Sequence, residues 1–230
     1  MAHFSSRLDA HGGCLCKAIR YSIHIPTIDE RPAAPGAAPT PVANSHGIVE
    51  DQVTRLPMID LDHCTSCRLA TGSIIQAWIV LPKSWVKWYM ISKHENAPSA
   101  AAIKEDDYKE YTTGDLTENA SAVNTATFYT EYISSPDTHR GFCGRCGTSL
   151  VFCYSGPKPN WQLPERNFDV SLGTLDREYL EEVHVDRHGW WNDGIGWMKA
   201  LVRDGDNFNG ARLVRHPTGA VKDVINEPEG

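Results

Sequence analysis

The sequence predicts a mainly β domain, and three features carry that prediction. Apolar runs are short, several alternate with polar residues, and turns bearing glycine or proline separate them. The cysteines form pairs far apart along the chain, so a site built from them must be closed by long-range pairing. No internal repeat is present. At 230 residues and 41% apolar content the chain can bury a real core. The expectation is one domain over residues 1–230, with its core at about residues 11–200 and a tail at about residues 200–230.

Cysteine usage says most about chemistry. Of the 7 cysteines, all but Cys153 fall into close pairs, and Cys153 reads as a core residue. This pattern suits metal binding in a reducing compartment better than a disulfide framework, which points to the cytoplasm or nucleus. Gly141-Phe142-Cys143-Gly144-Arg145-Cys146-Gly147-Thr148 holds a Cys-x-x-Cys turn in which Gly147 lets the backbone pass beneath a metal. Far upstream, Gly13-Cys14-Leu15-Cys16 supplies two more thiols. In an extended strand residues i and i+2 share a face, so Cys14 and Cys16 can chelate together. Four thiolates from Cys14, Cys16, Cys143 and Cys146 suit a closed, tetrahedral, structural zinc. The competing readings are ordinary buried cysteines or a redox motif. A redox Cys-x-x-Cys would open a helix, whereas residues 148–154 read as a strand.

Bulk properties exclude several classes. A net charge of −7 and a pI near 5.8 leave no basic stripe for nucleic acid. No apolar run approaches a membrane span. The segment Met1-Ala2-His3-Phe4-Ser5-Ser6-Arg7 lacks the apolar stretch of a secretion signal.

Taken in order, residues 1–11 read as a loose arm. Residues 14–25 alternate: Leu15, Ile19, Tyr21, Ile23 and Ile25 oppose Cys14, Cys16, Ala18, Arg20 and Ser22, which predicts a strand. Pro26, Pro32, Pro35, Pro39 and Pro41 stand among alanines, so residues 26–54 read mainly as an exposed insertion. Its residues 30–45 should be the first cut by a nonspecific protease. Residues 62–72 carry the second cysteine pair and turn into a short helix that stops at Gly72. Residues 74–81 form a dense apolar run, read as a buried strand ended by Pro82, with a second strand around Trp85, Trp88 and Tyr89. A short helix is expected at residues 103–111 and a loop at residues 114–124. Residues 128–133, 150–154 and 168–172 read as strands, and residues 175–180 as a turn or short helix. Trp190, Trp191 and Trp197 dock the tail on the sheet in the simpler reading, or line a substrate pocket in the other.

Three motifs in this order resemble the glutathione-dependent formaldehyde-activating enzyme (GFA) family, which also contains the centromere protein V domain. They are Gly13-Cys14-Leu15-Cys16, His63-Cys64-Thr65-Ser66-Cys67-Arg68 and Phe142-Cys143-Gly144-Arg145-Cys146-Gly147-Thr148. Leu81-Pro82, Gly173-Thr174-Leu175-Asp176, and His184 followed by Trp190-Trp191 extend the likeness over roughly residues 11–200. The resemblance implies a β-tent of small antiparallel sheets held by zinc, to which this chain adds long loop insertions at residues 26–54 and 92–124. It implies structural zinc at Cys14, Cys16, Cys143 and Cys146, and a catalytic zinc at the middle motif. It also implies a carbon–sulfur lyase acting on the glutathione–formaldehyde adduct.

One departure matters. Where the family has the first cysteine of the middle motif, this chain has Asp62, so the second ligand set becomes Asp62, Cys64 and Cys67. Charge is unchanged, but an oxygen donor is harder than sulfur and leaves zinc more Lewis-acidic. Either Asp62 completes an open catalytic site, or the site is degenerate and Cys64 and Cys67 only pack. In the first case zinc keeps a position for a substrate thiol or water and lowers its pKa, with His63, His184 and Arg68 as candidate helpers. A bound water would instead favour hydrolysis of another substrate. In the second case the chain is a zinc-stabilised binding module. The expected partner of the enzyme is a small-molecule substrate, and the oligomeric state stays open. Arg20, Arg68 and Arg140 are candidates to meet a substrate carboxylate.

Overall fold

Two sheets face one another across a continuous apolar core. The computed structural model describes residues 4, 6–34, 40–43, 49–157, 167–204, 207–208 and 211–212. In chain order the strands and helices are β1 (Leu8–Gly13), β2 (Ile19–Ile25), β3 (Thr40–Ala43), β4 (Val49–Gln52), β5 (Met58–Asp62), α1 (Thr65–Thr71) and β6 (Gln76–Pro82). Next come β7 (Val86–Ile91), β8 (Tyr108–Thr112), α2 (Thr113–Glu118), α3 (Ala120–Ala126), β9 (Tyr129–Ser135), β10 (Thr138–Cys143) and β11 (Ser149–Tyr154). The chain continues through β12 (Asn167–Ser171), α4 (Arg177–Leu180), β13 (Arg187–Gly189), α5 (Gly196–Asp204), β14 (Asn207–Phe208) and β15 (Ala211–Arg212).

The smaller sheet has the order β1-β2-β7-β8 and the larger β13-β5-β6-β12-β11-β10-β9. The pairs in both are antiparallel except β13 with β5. The alternation of Ile19–Ile25 is realised: Ile19, Tyr21, Ile23 and Ile25 are all buried. Trp88 of β7 meets Tyr21 on its own sheet and Phe168 of β12 on the other. Ile79, Leu81, Val151 and Val170 complete that core from the larger sheet. The opposite face of the larger sheet has its own apolar cluster of Ala34, Leu56, Met58, Cys67, Trp78 and Val80. β6 is therefore covered on both faces, which is why its sequence is nearly continuous apolar rather than alternating. No helix among the described residues is long and apolar enough to cross a membrane.

Several sequence expectations are corrected. Residues 8–13 are no loose arm: β1 pairs along its whole length with β2, from Leu8↔Ile25 to Gly13↔Arg20, and Ala10 is buried. Leu15 is not a core residue; it sits exposed at the turn that follows β1. Residues 105–107 make one 3-10 turn before β8, where a helix was expected. Residues 114–124 are the helical pair α2 and α3, because Thr112 caps α2 by accepting from the Asp115 N–H, with Asp115 answering in a capping box. Ile74 is exposed and lies outside β6.

The insertion at residues 26–54 is more than a loop. Its outer part forms the hairpin β3–β4, and residues 35–39 and 44–48 lie outside the described residues. Its base is zipped: the Ala34 N–H donates to the Thr54 carbonyl and the Leu56 N–H to the Pro32 carbonyl. Arg31 is only 1% exposed. Its Nε donates to the Pro26 carbonyl (2.8 Å), and its Nη2 to the carbonyls of Phe4 (2.6 Å) and Ser6 (3.3 Å). Residues 30–34, at the start of the stretch expected to be cut first, are thus bonded down, and residues 35–39 of that stretch lie outside the described residues.

Removing this guanidinium leaves three backbone carbonyls without their donor. Arg31→Ala should destabilise the fold by roughly 3 kcal/mol. The midpoint of urea unfolding, followed by tryptophan fluorescence, reads the loss; an unchanged midpoint would show that these bonds contribute nothing net.

Candidate metal centres

The first cysteine cluster joins two turns. Cys14 and Cys16 do not lie on one face of a strand, as expected; they sit on the tight turn between β1 and β2. The Lys17 N–H donates to the Cys14 carbonyl, and Lys17 takes a left-handed φ of 61°. Cys143 and Cys146 lie at the turn between β10 and β11, where Gly147 has φ +76° and its N–H returns to the Cys143 carbonyl. The four sulfurs all lie within 4.8 Å of one another. Cys14 and Cys16 sulfurs are 3.6 Å apart, and those of Cys16 and Cys143 3.7 Å. A tetrahedron with metal–sulfur bonds of ~2.3 Å has edges of about 3.8 Å, so the spacing fits a shared ion such as zinc. A disulfide would need about 2.05 Å.

Surrounding donors suit thiolates. The Ile19 N–H points at Cys14 Sγ (3.3 Å), and Thr148 Oγ1 lies 3.2 Å from Cys146 Sγ. A hydrogen bond from the Cys14 thiol, with help from the Arg145 and Cys146 N–H groups, pulls Cys143 down to about 5. The same bond, together with burial, pushes Cys14 up. Protons alone thus leave the cluster divided between thiol and thiolate, whereas a divalent cation would let every sulfur ionise.

The second cluster lies on the other face of the larger sheet. Asp62 ends β5, Cys64 caps α1, and Cys67 lies in its first turn. The three ligand atoms lie within 4.8 Å of one another, and no further His, Cys, Asp or Glu joins them among the described residues. Asp62 is fixed from two sides: Oδ1 accepts the Cys64 N–H (2.8 Å) and Oδ2 the Trp78 indole N–H (3.3 Å). Cys67 is buried, and its thiol is raised by burial first and by Asp62 next, against the opposing pull of Arg140. Arg140, also buried, directs Nη2 at Cys67 Sγ (3.5 Å), bonds Ser134 Oγ through Nε (3.1 Å) and stacks on Phe152. An acidic oxygen and two sulfurs at this spacing could hold a metal such as zinc.

Other candidates are distributed around this set. His63 turns its ring away from the cluster: Nε2 lies 3.1 Å from His188 Nδ1, and Trp191 packs edge-on against both rings. Its Nδ1 is buried without a partner among the described residues, and a Cβ on Gly194 would come within 2.8 Å of it. Burial, then His188, holds the His63 pKa below its usual value. His184 pairs instead with Asp186, at 3.8 Å. Arg20 binds Asp176 in a two-pronged pair and Arg140 faces sulfur, so neither is free for a substrate carboxylate. Trp190, Trp191 and Trp197 do not dock the tail: Trp190 is 67% and Trp197 53% exposed, and Trp191 joins the histidines. Residues beyond 212 lie outside the described residues.

Sequence reasoning missed the charges beneath the cluster. Asp60 accepts from Arg187 Nη2 (2.8 Å) and from the Gly189 N–H (2.9 Å). Asp169 of β12 shares their sheet face. Burial first, then the Asp60 carboxylate, pushes it up to about 8, with Arg187 opposing. The alternation Asn167-Phe168-Asp169-Val170-Ser171 held the signal for a polar face, but not for what it would meet. No protein-family model matches the chain, and no curated protein matches it.

Two outcomes are expected. Cys143→Ser should lose the metal of the first cluster and with it the fold, since structural zinc contributes about 10–16 kcal/mol in small peptides. Soluble, protease-resistant Cys143→Ser protein with full metal content would contradict this. Asp169 ionises near pH 3.9 when unfolded but at about 8 when folded. Between those values the folded state holds the extra proton, so stability falls as pH rises. Asp169→Asn should therefore flatten that fall, gaining most at pH 8, in melting curves taken from pH 5 to 8.

Proposed function

We propose that this chain is a zinc-dependent enzyme of the carbon–sulfur lyase type, acting on the adduct of a thiol with a small aldehyde. Zinc at Cys14, Cys16, Cys143 and Cys146 is structural in this reading, and zinc at Asp62, Cys64 and Cys67 is catalytic. The carrying observation is the second cluster: three anionic donors within 4.8 Å and no fourth among the described residues. The likeness of the three cysteine motifs to the GFA family supports the same assignment. So does the meeting of two sheets at the first cluster, which accords with a zinc-held β-tent.

A zinc with three protein donors supplies Lewis acidity and lowers the pKa of a thiol in its remaining position. The chain's own residues define the rest. The Cys64 N–H and the Trp78 indole hold Asp62 so that a carboxylate oxygen turns to the sulfurs. Arg140 offsets the charge of Cys67, so three anionic donors, one guanidinium and a +2 ion sum to zero. Such a site accepts a thiolate at a net cost of one charge. In the reaction the adduct's hydroxyl proton leaves, the carbon–oxygen double bond forms, and the carbon–sulfur bond breaks to release thiolate and aldehyde. His63 and His188, joined through Nε2 and Nδ1, form an imidazole pair able to carry that proton.

Metal content by elemental analysis tests the assignment. Wild type should hold two zincs per chain and Asp62→Ala one. Asp62→Cys should hold two, the second more tightly because sulfur is softer. A wild type with one zinc, unchanged by either substitution, would remove Asp62 from the ligands and leave a binding module. Exchange NMR of formaldehyde with excess thiol then tests the lyase: fully loaded protein that leaves the exchange rate unchanged is not one.

A further inference from the structure

A cleft of about 300 Å³ opens beside the second cluster, at the start of β6. Gln76, on its floor, lies directly across the strand ladder from Asp62, and Ser171 directly across from Trp78, whose indole holds Asp62. Thr71, on its wall, is one helical turn beyond Cys67 and donates to the Cys67 carbonyl (2.9 Å). The cleft therefore begins about one strand spacing, roughly 5 Å, from the donor set. A ligand with its sulfur at the cluster has room there for its body.

The polar atoms of the cleft are unevenly used. The Nε2 of Gln76 donates to the Ala77 carbonyl (3.0 Å) and to Ser171 Oγ (3.1 Å). Gln76 is 8% exposed, yet its Oε1 has no donor among the described residues. The Ser171 and Ser149 hydroxyls have no acceptor among the described residues, whereas Thr71, Ser73 and Thr174 donate to backbone carbonyls. One carbonyl acceptor and two hydroxyls thus belong to the lining, with Ile75 and Ala77 as its apolar part. No charged residue lines the cleft. Of the arginines elsewhere in the fold, Arg20 is committed to Asp176, and Arg140 to Cys67 and Ser134.

We propose that this cleft binds the body of the substrate and selects a small, uncharged thiol bearing hydroxyl or amide groups over an anionic one such as glutathione. The inference rests on the thiol-adduct reading of the Asp62 site and specifies its substrate class. A carboxylate entering the cleft would give up water with no cation in the lining to replace it. A hydroxyl or amide N–H finds the Gln76 carbonyl, and its oxygen finds the serine hydroxyls. A volume of 300 Å³ is at the low end of the ~300–1,000 Å³ typical of ligand pockets, which also favours a small body.

Cadmium-113 NMR of the cadmium-loaded full chain tests this, because an all-sulfur site and an oxygen–sulfur site give separate resonances. Added 1-thioglucose should shift the oxygen–sulfur resonance alone, at about ten-fold lower concentration than glutathione or mercaptopropionate. Gln76→Leu and the milder Ser171→Ala should erase that preference. The unmoved all-sulfur resonance reports that each variant remains folded. Glutathione binding as tightly as 1-thioglucose, or a preference that survives both substitutions, overturns the inference and leaves the thiol site standing. If no thiol moves the oxygen–sulfur resonance, the thiol-adduct reading itself falls, and this inference with it.

Discussion

The four sulfurs of Cys14, Cys16, Cys143 and Cys146 are the constraint on which the rest depends. They lie within 4.8 Å of one another, at the ends of strands that belong to different sheets. Without a cation, charge repulsion and burial hold some as thiols; with one, the turn after β1 is clipped to the turn after β10. That clip acts beside the shared core and the bonds that tie the smaller sheet to the segment after β12, among them Arg20 to Asp176 and Tyr21 to Thr174. Everything from β3 to β9 is enclosed between the two halves of one metal site.

The second cluster depends on this frame in a different way. Asp62 and Trp78 come from neighbouring strands, Cys64 and Cys67 from the start of the helix that follows β5, and Arg140 from β10, further along the same sheet. A helix start places residues i and i+3 on one side, which brings the two sulfurs together cheaply. The carboxylate needs the strand beneath it. The outer face of the larger sheet therefore combines an apolar cluster with buried polar groups, each held by a partner: Asp60 by Arg187, Asp62 by the Cys64 N–H and the Trp78 indole, Cys67 by Arg140.

Much of this was legible in the sequence because its signals are local. The period of two in Ile19–Ile25, the Gly72 stop after α1 and the spacing of the cysteine motifs all depend on neighbours along the chain. The same reasoning misread residues 8–13, whose Asp9, His11, Gly12 and Gly13 carry little strand propensity and which are held by β2. It misread residues 114–124 because Thr112, Gly114 and Asp115 look like a turn until the capping box is counted. In the insertion, prolines pointed to an exposed loop, while the buried Arg31 anchors its base. At the site, the donor residues were readable from their types. The placement of Asp169, His188 and Trp191 was not, since each reaches the cluster from a strand or turn more than a hundred residues away.

β10 carries residues of both clusters on opposite faces. Arg140 points outward to Cys67, and Cys143, an odd number of residues on, points inward to Cys14 and Cys16. A slip of one residue in the pairing of β10 would exchange those faces. A guanidinium would then sit in the apolar core among residues such as Val151, and a metal-binding sulfur would face Phe152. Few errors in strand pairing are so costly on both sides at once. The alternation of one cation and one thiol along a six-residue strand thus proofreads the register of the whole sheet.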